Sequence, residues 1–257
     1  MIICPLCKSE SKLIWKERKY KVYRCLNCKV AFLYPVPETE KIYNRDYFEK
    51  WYLKYYEERK QYFKNLIEKL KNYFPEKGKI LDIGCGAGIF LDIMKEMDWD
   101  VYGQDISPFA VKYCENKGYT VYKNLCEINK EGTFDVITMF DVIAHIPDPL
   151  LYLNQCRKLL KKEGILIIKT PSHSNFLFTV SNLLSFTGKS RTLLHIPAQI
   201  YHFNSFSLKK ALEEESFLLE DIFFINEFFS NFTPLNALIQ TIFDKKSIIS
   251  ISMKDGK

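Results

Sequence analysis

Four cysteines near the start of the chain are spaced for binding one metal ion. The pairs Cys4-x2-Cys7 and Cys25-x2-Cys28 are separated by 17 residues, a spacing at which two such turns supply four thiolates to one zinc ion. Four protein ligands fill the tetrahedral shell and leave no open position for a substrate. The sequence therefore predicts a structural zinc site, with a redox pair or a chance placement of the cysteines as the alternatives. The other cysteines are expected to be buried; they are Cys85, Cys114, Cys126 and Cys156.

A glycine-rich turn is the second feature whose residue types could do chemistry. An apolar run ends at Ile83 and is followed by Gly84-Cys85-Gly86-Ala87-Gly88 and then by helical periodicity. Glycines at such a junction allow a tight turn and the close approach of a ligand, and free N–H groups at the helix start are expected to face it. Ligands of open α/β sheets bind at the carboxyl ends of the strands, where this turn falls.

An acidic residue at a matching distance narrows the choice of ligand. Asp105 lies 21 residues after Gly84, at the end of the next apolar run, about the spacing at which a carboxylate binds ribose hydroxyls. A dinucleotide-binding turn would have its third glycine at the position of Ile89, whereas the third glycine here is Gly88. The spacing therefore favours an adenosine cofactor that has no pyrophosphate.

Alternating apolar runs and helical patterns indicate the elements that position these residues. Strands are expected at 79–84, 100–105, 119–122, 134–140 and 164–170, and helices near 87–97, 108–117 and 149–161. Another helix is expected to run through Phe63 to Phe74 and to end at Pro75. Residues 207–216 are expected to form a helix, and 217–225 with 247–253 a last antiparallel pair. This alternation predicts βαβ units and a parallel sheet.

The turn and Asp105 resemble the first motif and the ribose-binding acid of class I S-adenosylmethionine (SAM)-dependent methyltransferases. Residues 134–145, 159–168 and 201–208 are similar to later segments of that family. The resemblance implies a Rossmann-like, doubly wound, mostly parallel seven-stranded sheet with helices on both faces, and an enzyme that transfers a methyl group from SAM. Many of these enzymes carry an N-terminal zinc ribbon, including enzymes that act on sugars and glycans.

By the same resemblance, ten residues would contact the cofactor. At the methionine end these are Asp82, which would reach the ammonium group, with Phe140 and Asp141 beside it. Along the turn they are Gly84, Gly86 and Gly88. At the adenosine end they are Asp105 on the ribose, Ile106 on the adenine ring, and Asn124 or Leu125 at the adenine edge.

Two histidines are candidates for a general base or an orienting group. Histidine suits this role near neutral pH, and a hydroxyl acceptor benefits from a base within hydrogen-bond reach. We rank His145 above His202, with structural packing as the alternative for each, and His173 and His195 below both. Related enzymes often have Glu-His where this chain has Ala144-His145, and His where it has Gln199. In the quinone-type enzymes that Glu-His pair is linked with metal binding, so no catalytic metal is expected here.

The chain is expected to divide into three parts. A zinc ribbon at 1–36 is followed by a linker and helices at 37–78 and by a methyltransferase domain at 79–257 with an insert near 172–200. Residues 1–79 carry 19 Lys and Arg against 10 Asp and Glu, a surplus that attracts phosphates or forms a solvated surface. A short amphipathic helix at 176–184 has three interpretations: core packing, a substrate lid, or peripheral membrane contact.

The leading hypothesis for the acceptor is a small molecule, such as a sugar or cell-surface glycan precursor, and an anionic acceptor would suit the basic surplus. An RNA methyltransferase that grips phosphates through the zinc ribbon is the second hypothesis, and a catalytically weak SAM-binding protein is the third. No apolar run approaches the roughly 20 residues of a membrane-spanning helix, and Met1 to Pro5 lack the pattern of a secretory signal. The sequence therefore predicts a cytoplasmic protein.

Overall fold

Two β-sheets organise the chain in the computed structural model, which describes residues 2–17, 19–38, 42–173, 178, 194–226 and 246–254. The strands of the larger sheet are β5 (Lys79–Ile83), β6 (Asp100–Gln104), β7 (Thr120–Tyr122), β8 (Phe134–Phe140), β9 (Leu160–Pro171), β11 (Phe217–Asn226) and β12 (Lys246–Lys254). Their order is β11-β12-β9-β8-β5-β6-β7. In this order the five strands β9, β8, β5, β6 and β7 are parallel, and β12 pairs antiparallel with both of its neighbours. The predicted seven-stranded, mostly parallel sheet is confirmed.

Helices cover both faces of this sheet. They are α1 (Arg45–Tyr47, continued by a π-helical turn at Phe48–Leu53), α2 (Tyr56–Leu70), α3 (Ile89–Glu96), α4 (Pro108–Asn116), α5 (Pro149–Leu159) and α6 (Ser205–Glu214). Alternate residues of a strand point to opposite faces. Leu81 accordingly lies in one buried cluster with side chains of α5 and α6, while Ile80 lies in a second cluster with side chains of α2 and α3.

The bounds expected from the sequence agree with these elements to within two residues, except at the start of β9, which lies four residues earlier, and at the end of α2. The helix expected to reach residue 161 ends at Leu159, because Leu160 already pairs with Phe134 as the first residue of β9. The helix expected to run to Phe74 ends at Leu70 and continues as a 3-10 turn at Lys71–Tyr73. Cys126 is exposed and not buried. The expected helix at 176–184 lies outside the described residues, except for Phe178.

The smaller sheet carries the cysteine pairs and does not end at the predicted module boundary. Its strands are β1 (Ile2–Ile3), β2 (Glu10–Glu17), β3 (Tyr20–Cys25), β4 (Ala31–Tyr34) and β10 (Tyr201–His202). β10 pairs antiparallel with β4, with Tyr201 opposite Phe32. A segment about 170 residues downstream thus completes the sheet of the N-terminal module. Within the described ranges, no helix is both long and apolar enough to cross a membrane.

Candidate active site

The glycine turn between β5 and α3 adopts a backbone that favours glycine at three positions. Gly84, Gly86 and Gly88 have φ angles of 74°, 55° and 70°, in a region of backbone conformation that residues other than glycine rarely adopt. The N–H groups of Gly84 and Cys85 both donate to the carbonyl of Gln104, at the end of β6. Gly86 N donates to Asp105 Oδ2 at 2.8 Å. These three N–H groups therefore fasten the turn to the neighbouring strand, and the expectation that N–H groups at the start of α3 face a ligand stays a prediction.

Two of these glycines also make room for other side chains. A Cβ atom on Gly84 would lie 2.3 Å from Val142 Cγ2, and one on Gly86 would lie 2.4 Å from Tyr52 Cε1. Both distances are far below van der Waals contact. Val142 belongs to the loop after β8, and Tyr52 belongs to the π-helical turn after α1. The turn is thus packed between two segments that the chain places over the carboxyl edge of the sheet.

Three carboxylates lie at this edge, on the adjacent strands β5, β6 and β8. Asp82, in β5, is buried and accepts a hydrogen bond from Thr138 Oγ1 at 2.7 Å. Burial raises the pKa of Asp82 to about 7, the Thr138 hydrogen bond lowers it, and the charge of Asp105 raises it. Burial also raises the pKa of Asp105, against the effect of hydrogen bonds from Ser107 N and Gly86 N. Neighbouring carboxylates that burial makes costly to ionise favour a cationic ligand.

The third carboxylate, Asp141, follows β8 and is held by a lysine. Asp141 Oδ2 lies 2.5 Å from Lys169 Nζ, and Asp141 N donates to the carbonyl of Lys169 at 2.8 Å. Lys169 is buried in β9, whereas the Asp141 side chain is 48% exposed. Asp141 has a φ of 60°, a strained conformation for a residue other than glycine that is common at functional sites. The lysine therefore fixes the direction of a carboxylate that remains accessible from the edge of the sheet.

His145 lies in a 3-10 turn just beyond Asp141. Its Nδ1 atom is 2.9 Å from the carbonyl oxygen of Ala198. A carbonyl only accepts hydrogen bonds, so Nδ1 carries the proton and the lone pair of the neutral ring is on Nε2. Burial lowers the pKa of His145, while the Ala198 hydrogen bond and the charge of Asp141 raise it. The geometry suits a base whose Nε2 takes a proton.

The second candidate base, His202, has a different environment. It is buried in β10, and its Nε2 bonds to the carbonyl of Leu194 at 3.0 Å. Its ring stacks edge-on against His173 at 4.7 Å and lies 5.6 Å from Phe178. Burial lowers the pKa of His202 to about 4. These contacts favour a packing role for His202, and its expected role as a base stays a prediction.

The residues expected at the adenosine end are only partly placed for that role. Ile106, directly after Asp105, is partly exposed and could cover a ring. Asn124 is exposed, and its side chain forms a capping box with Glu127, donating to Oε1 at 2.6 Å. Leu125 is buried. Phe140, which is expected at the methionine end, packs against Phe90 and Phe63, with ring centroids 5.0 Å and 5.5 Å away.

Three tyrosines near the carboxylates were missed by the sequence analysis. They are Tyr43, Tyr47 and Tyr52. The ring centroid of Tyr47 lies 5.2 Å from that of Tyr43 and 6.1 Å from that of Tyr52. Burial raises the pKa of Tyr47 to about 12, and the charges of Asp141 and Asp105 act in the same direction. Tyr43 also contacts the His145 ring at 6.3 Å. An aromatic-rich stretch is visible in the sequence, but its position over the site depends on tertiary packing.

The four cysteines of the N-terminal module come together as predicted. Cys4 Sγ lies 3.6 Å from Cys28 Sγ, and Cys7 Sγ lies 3.4 Å from Cys25 Sγ. All four sulfur atoms are within 4.8 Å of one another, and among the described residues this is the one cluster of its kind. Zn–S bonds of about 2.3 Å in a tetrahedron require sulfur atoms about 3.8 Å apart. The cluster fits a zinc ion with little adjustment.

Comparison with known proteins shows similarity to methyltransferases. Residues 55–219 match a family model described as a methyltransferase domain. The ubiquinone biosynthesis O-methyltransferase of Cereibacter sphaeroides is 37% identical over 100 residues, which are 36% of this chain and 40% of that protein. The enzyme of the same name from Methylococcus capsulatus is 30% identical over 137 residues, 50% of this chain and 56% of that one. The chain spans about half the length of the curated relatives that it matches.

Solved structures share the fold. A SAM-dependent methyltransferase from Archaeoglobus fulgidus superposes with a TM-score of 0.54 at 21% identity, covering 79% of this chain and 100% of that chain. One from Mesorhizobium loti gives 0.52 at 17% identity, with 72% and 96% covered. At these identities the likeness concerns the fold alone. It agrees with the strand order described above.

Proposed function

Because the chain belongs to the methyltransferase domain family, we propose that it transfers the methyl group of SAM to a small-molecule acceptor. The observation that carries this proposal is the group of three carboxylates, Asp82, Asp105 and Asp141, at the ends of adjacent strands. SAM has two positive charges, on its sulfonium and ammonium groups, and a ribose with two hydroxyls. A site with this charge and this turn fits such a ligand.

The residues divide between the two ends of the cofactor. Asp82 and Asp141 are proposed to face the methionine part, because a cation near Asp82 would lower its raised pKa and stabilise the ionised form. Asp105, held by Ser107 N and Gly86 N, is proposed to accept the ribose hydroxyls. Ile106 and Leu125 would border the adenine. Asn124 is proposed to meet the adenine edge only if its hydrogen bonds to Glu127 open.

His145 is proposed as the general base for a hydroxyl acceptor. Bound SAM would supply a methyl group whose bond to the sulfonium sulfur breaks, with S-adenosylhomocysteine, a neutral thioether, as the leaving group. His145 Nε2 would take the hydroxyl proton as the acceptor oxygen bonds to the methyl carbon, and its Nδ1–H stays on Ala198 O. Tyr43, Tyr47 and Tyr52 would exclude water above the carboxylates. Orientation by these residues and proton removal by His145 are the contributions that the protein makes.

For the acceptor itself, a sugar or glycan precursor is proposed. The relatives in ubiquinone biosynthesis are O-methyltransferases, which supports methyl transfer to an oxygen atom. A quinone precursor as the acceptor of this chain does not follow from that similarity. Ala144 is buried and has no carboxylate, so this chain lacks the Glu-His pair that is linked with metal binding in the quinone-type enzymes. The basic first 79 residues favour an anionic acceptor, such as a nucleotide-sugar.

The cysteine cluster is proposed to hold a structural zinc ion. Its four thiolates complete the coordination shell and leave no site for a substrate. Asn27 N donates to Cys25 Sγ at 3.4 Å, a bond that favours the charged sulfur which zinc requires. Metal analysis of the purified protein should give one zinc per chain, and Cys7→Ser should abolish it while Cys126→Ser should not.

The proposed function is tested by binding and turnover in the same preparation. SAM binding is measured by calorimetry, and release of S-adenosylhomocysteine is measured with nucleotide-sugars, quinone precursors and total RNA. Turnover with a nucleotide-sugar supports the proposal. Absence of SAM binding refutes it, and binding without turnover on any acceptor favours the catalytically weak SAM-binding protein. Turnover on RNA that falls steeply with salt would favour the RNA methyltransferase, because phosphate contacts release counterions.

A further inference from the structure

A short segment, residues 198–202, links the cysteine module to His145. It includes β10 and the residues just before it. Its backbone forms hydrogen bonds with β4 on one side and with Ala144, next to His145, on the other. We infer that this segment positions His145, so that the four-cysteine module is part of the catalytic apparatus and not only an appended domain. The inference rests on the proposed base role of His145, and the experiment below separates the two.

The first set of contacts joins the segment to the module. β10 pairs with β4 through Tyr201 opposite Phe32 and His202 opposite Ala31. Leu33 N, in β4, donates to the carbonyl of Ile200 at 2.9 Å. The segment is therefore the edge strand of the sheet that carries the cysteines.

The second set joins the segment to the loop that holds the base. Ile200 N donates to the carbonyl of Ala144 at 2.8 Å, directly before His145. The carbonyl of Ala198 accepts from His145 Nδ1 at 2.9 Å. Tyr201 hydroxyl donates to the carbonyl of Pro147 at 3.0 Å. Three hydrogen bonds thus clamp residues 144–147 from one side, and one of them goes to the imidazole itself.

The cysteine cluster controls where β4 begins. Cys25 is the last residue of β3, and Cys28 lies three residues before β4. Cys25 N donates to the carbonyl of Val30 at 2.9 Å, which closes the turn that leads into β4. Cys4 and Cys28 are fully buried in the same cluster as Ile200 and Tyr201. If the four sulfur atoms lost their common ligand, this turn and the start of β4 would lose their restraint.

The chemical consequence follows from the tautomer. With Ala198 O in place, the proton of the neutral ring is held on Nδ1 and the lone pair on Nε2. If the segment shifts, that hydrogen bond weakens and both tautomers become populated. The lone pair is then on Nε2 in only part of the molecules. The cofactor turn is fastened to β6 instead, so SAM affinity should be far less affected than turnover.

The experiment compares the zinc-loaded protein, as the whole chain, with three variants of it. Cys7→Ser disturbs the cluster, Tyr201→Phe removes only the hydroxyl contact with Pro147, and Cys126→Ser changes an exposed cysteine outside the cluster. Readouts are the SAM dissociation constant, kcat against pH, and the 15N–1H signals of the His145 ring. We expect Cys7→Ser to lower kcat at least tenfold with the SAM dissociation constant within twofold, and to shift the His145 signals towards a mixture of tautomers. Tyr201→Phe should lower kcat severalfold and shift the His145 signals in the same direction, while it keeps its zinc.

Three outcomes would overturn the inference. Unchanged His145 signals in both Cys7→Ser and Tyr201→Phe would show that the segment does not set the tautomer. A parallel loss of SAM binding and turnover would show general unfolding. Turnover that is lost in Cys126→Ser as well would show an effect of cysteine replacement unrelated to the cluster. If instead His145→Gln keeps full turnover while the signals respond as expected, the base role fails and the structural link remains.

Discussion

At the scale of single residues, the proposed role of Asp82 predicts that cofactor binding depends on pH. Its ordinary pKa of 3.8 is raised to about 7 by burial and by the charge of Asp105, against the Thr138 hydrogen bond. An ammonium group of the cofactor would interact with the ionised carboxylate, so SAM affinity should rise as the pH increases through 7. Between pH 6 and 8 we expect about a tenfold gain, because the ionised fraction increases by about that factor. Calorimetry across this range measures it.

The matched variants separate Asp82 from other acids. Asp82→Asn should bind SAM weakly and without this pH dependence, whereas Asp100→Asn, at the opposite and exposed end of the sheet, should behave as the unchanged protein. The folded state holds the Asp82 proton more tightly than the unfolded state, so the stability contribution of this group is lost as pH rises from 4 to 7. Asp82→Asn should remove that decline. A pH-dependent affinity that persists in Asp82→Asn would assign the titration to another group.

The Lys169 and Asp141 pair should respond asymmetrically to mutation. Lys169 is 2% exposed, whereas Asp141 is half exposed. Asp141→Ala leaves a buried cation without its carboxylate and should cost about 2–3 kcal/mol of unfolding free energy. Lys169→Met removes the buried charge, and water can solvate Asp141, so the cost should stay below about 1 kcal/mol. Urea unfolding measures both.

Exposed ion pairs provide the reference for this comparison. Lys77 and Asp98 are 67% and 76% exposed at 3.1 Å, and removing either should change the unfolding free energy by less than about 0.5 kcal/mol. Equal losses for Asp141→Ala and Lys169→Met would mean that burial of the lysine does not decide the energetics. In turnover assays Lys169→Met should still lower activity, because the direction of Asp141 is no longer fixed.

At the scale of elements, the glycine turn offers a test that separates backbone strain from steric clash. Gly86→Ala adds a Cβ atom 2.4 Å from Tyr52 at a φ of 55°. Gly118→Ala imposes a similar φ penalty at 82°, but no atom lies within 4 Å of its new Cβ. The strain alone should cost about 1–2 kcal/mol, and Gly86→Ala should cost more and also weaken SAM binding. Thermal unfolding and calorimetry compare the two variants.

The outcome of this comparison depends on Tyr52. If the π-helical turn can move aside, Gly86→Ala and Gly118→Ala will have equal unfolding free energies. That result would contradict the close packing described for Tyr52. Unequal values with unchanged SAM binding would instead show that the turn tolerates a shift without altering the cofactor site.

The elements also show what the sequence can and cannot predict. The strands β5, β6 and β8 were predicted to within one residue because apolar runs and glycines mark their limits locally. The pairing of β10 with β4 and the position of Tyr52 over Gly86 depend on contacts between residues that are distant in the chain. Spacing cannot reveal these. The hydrogen bonds of Gly84 N and Cys85 N to Gln104 belong to the same class, since Gln104 lies in the next strand.

At the scale of the whole molecule, the cysteine module and the large sheet share one buried cluster. Cys4, Cys25 and Cys28 pack in the same cluster as Leu81 and Met139 of the sheet. The predicted division at residue 36 stays a prediction about folding units, but the buried contacts cross it. Modules joined by a common core are expected to unfold together.

Zinc removal tests this directly. Treatment with a strong chelator should remove the proposed zinc ion, at a cost of at least about 3 kcal/mol, which lowers the Tm of a chain of this size by roughly 6–12 °C. Because β10 and the cluster connect the module to the large sheet, calorimetry should show one transition that shifts as a whole. Cys126→Ser, which alters an exposed cysteine, should leave the Tm within about 1 °C of the unchanged protein. Two separated transitions, with only the earlier one sensitive to the chelator, would mean that the module folds independently and that the shared core contributes little to its stability.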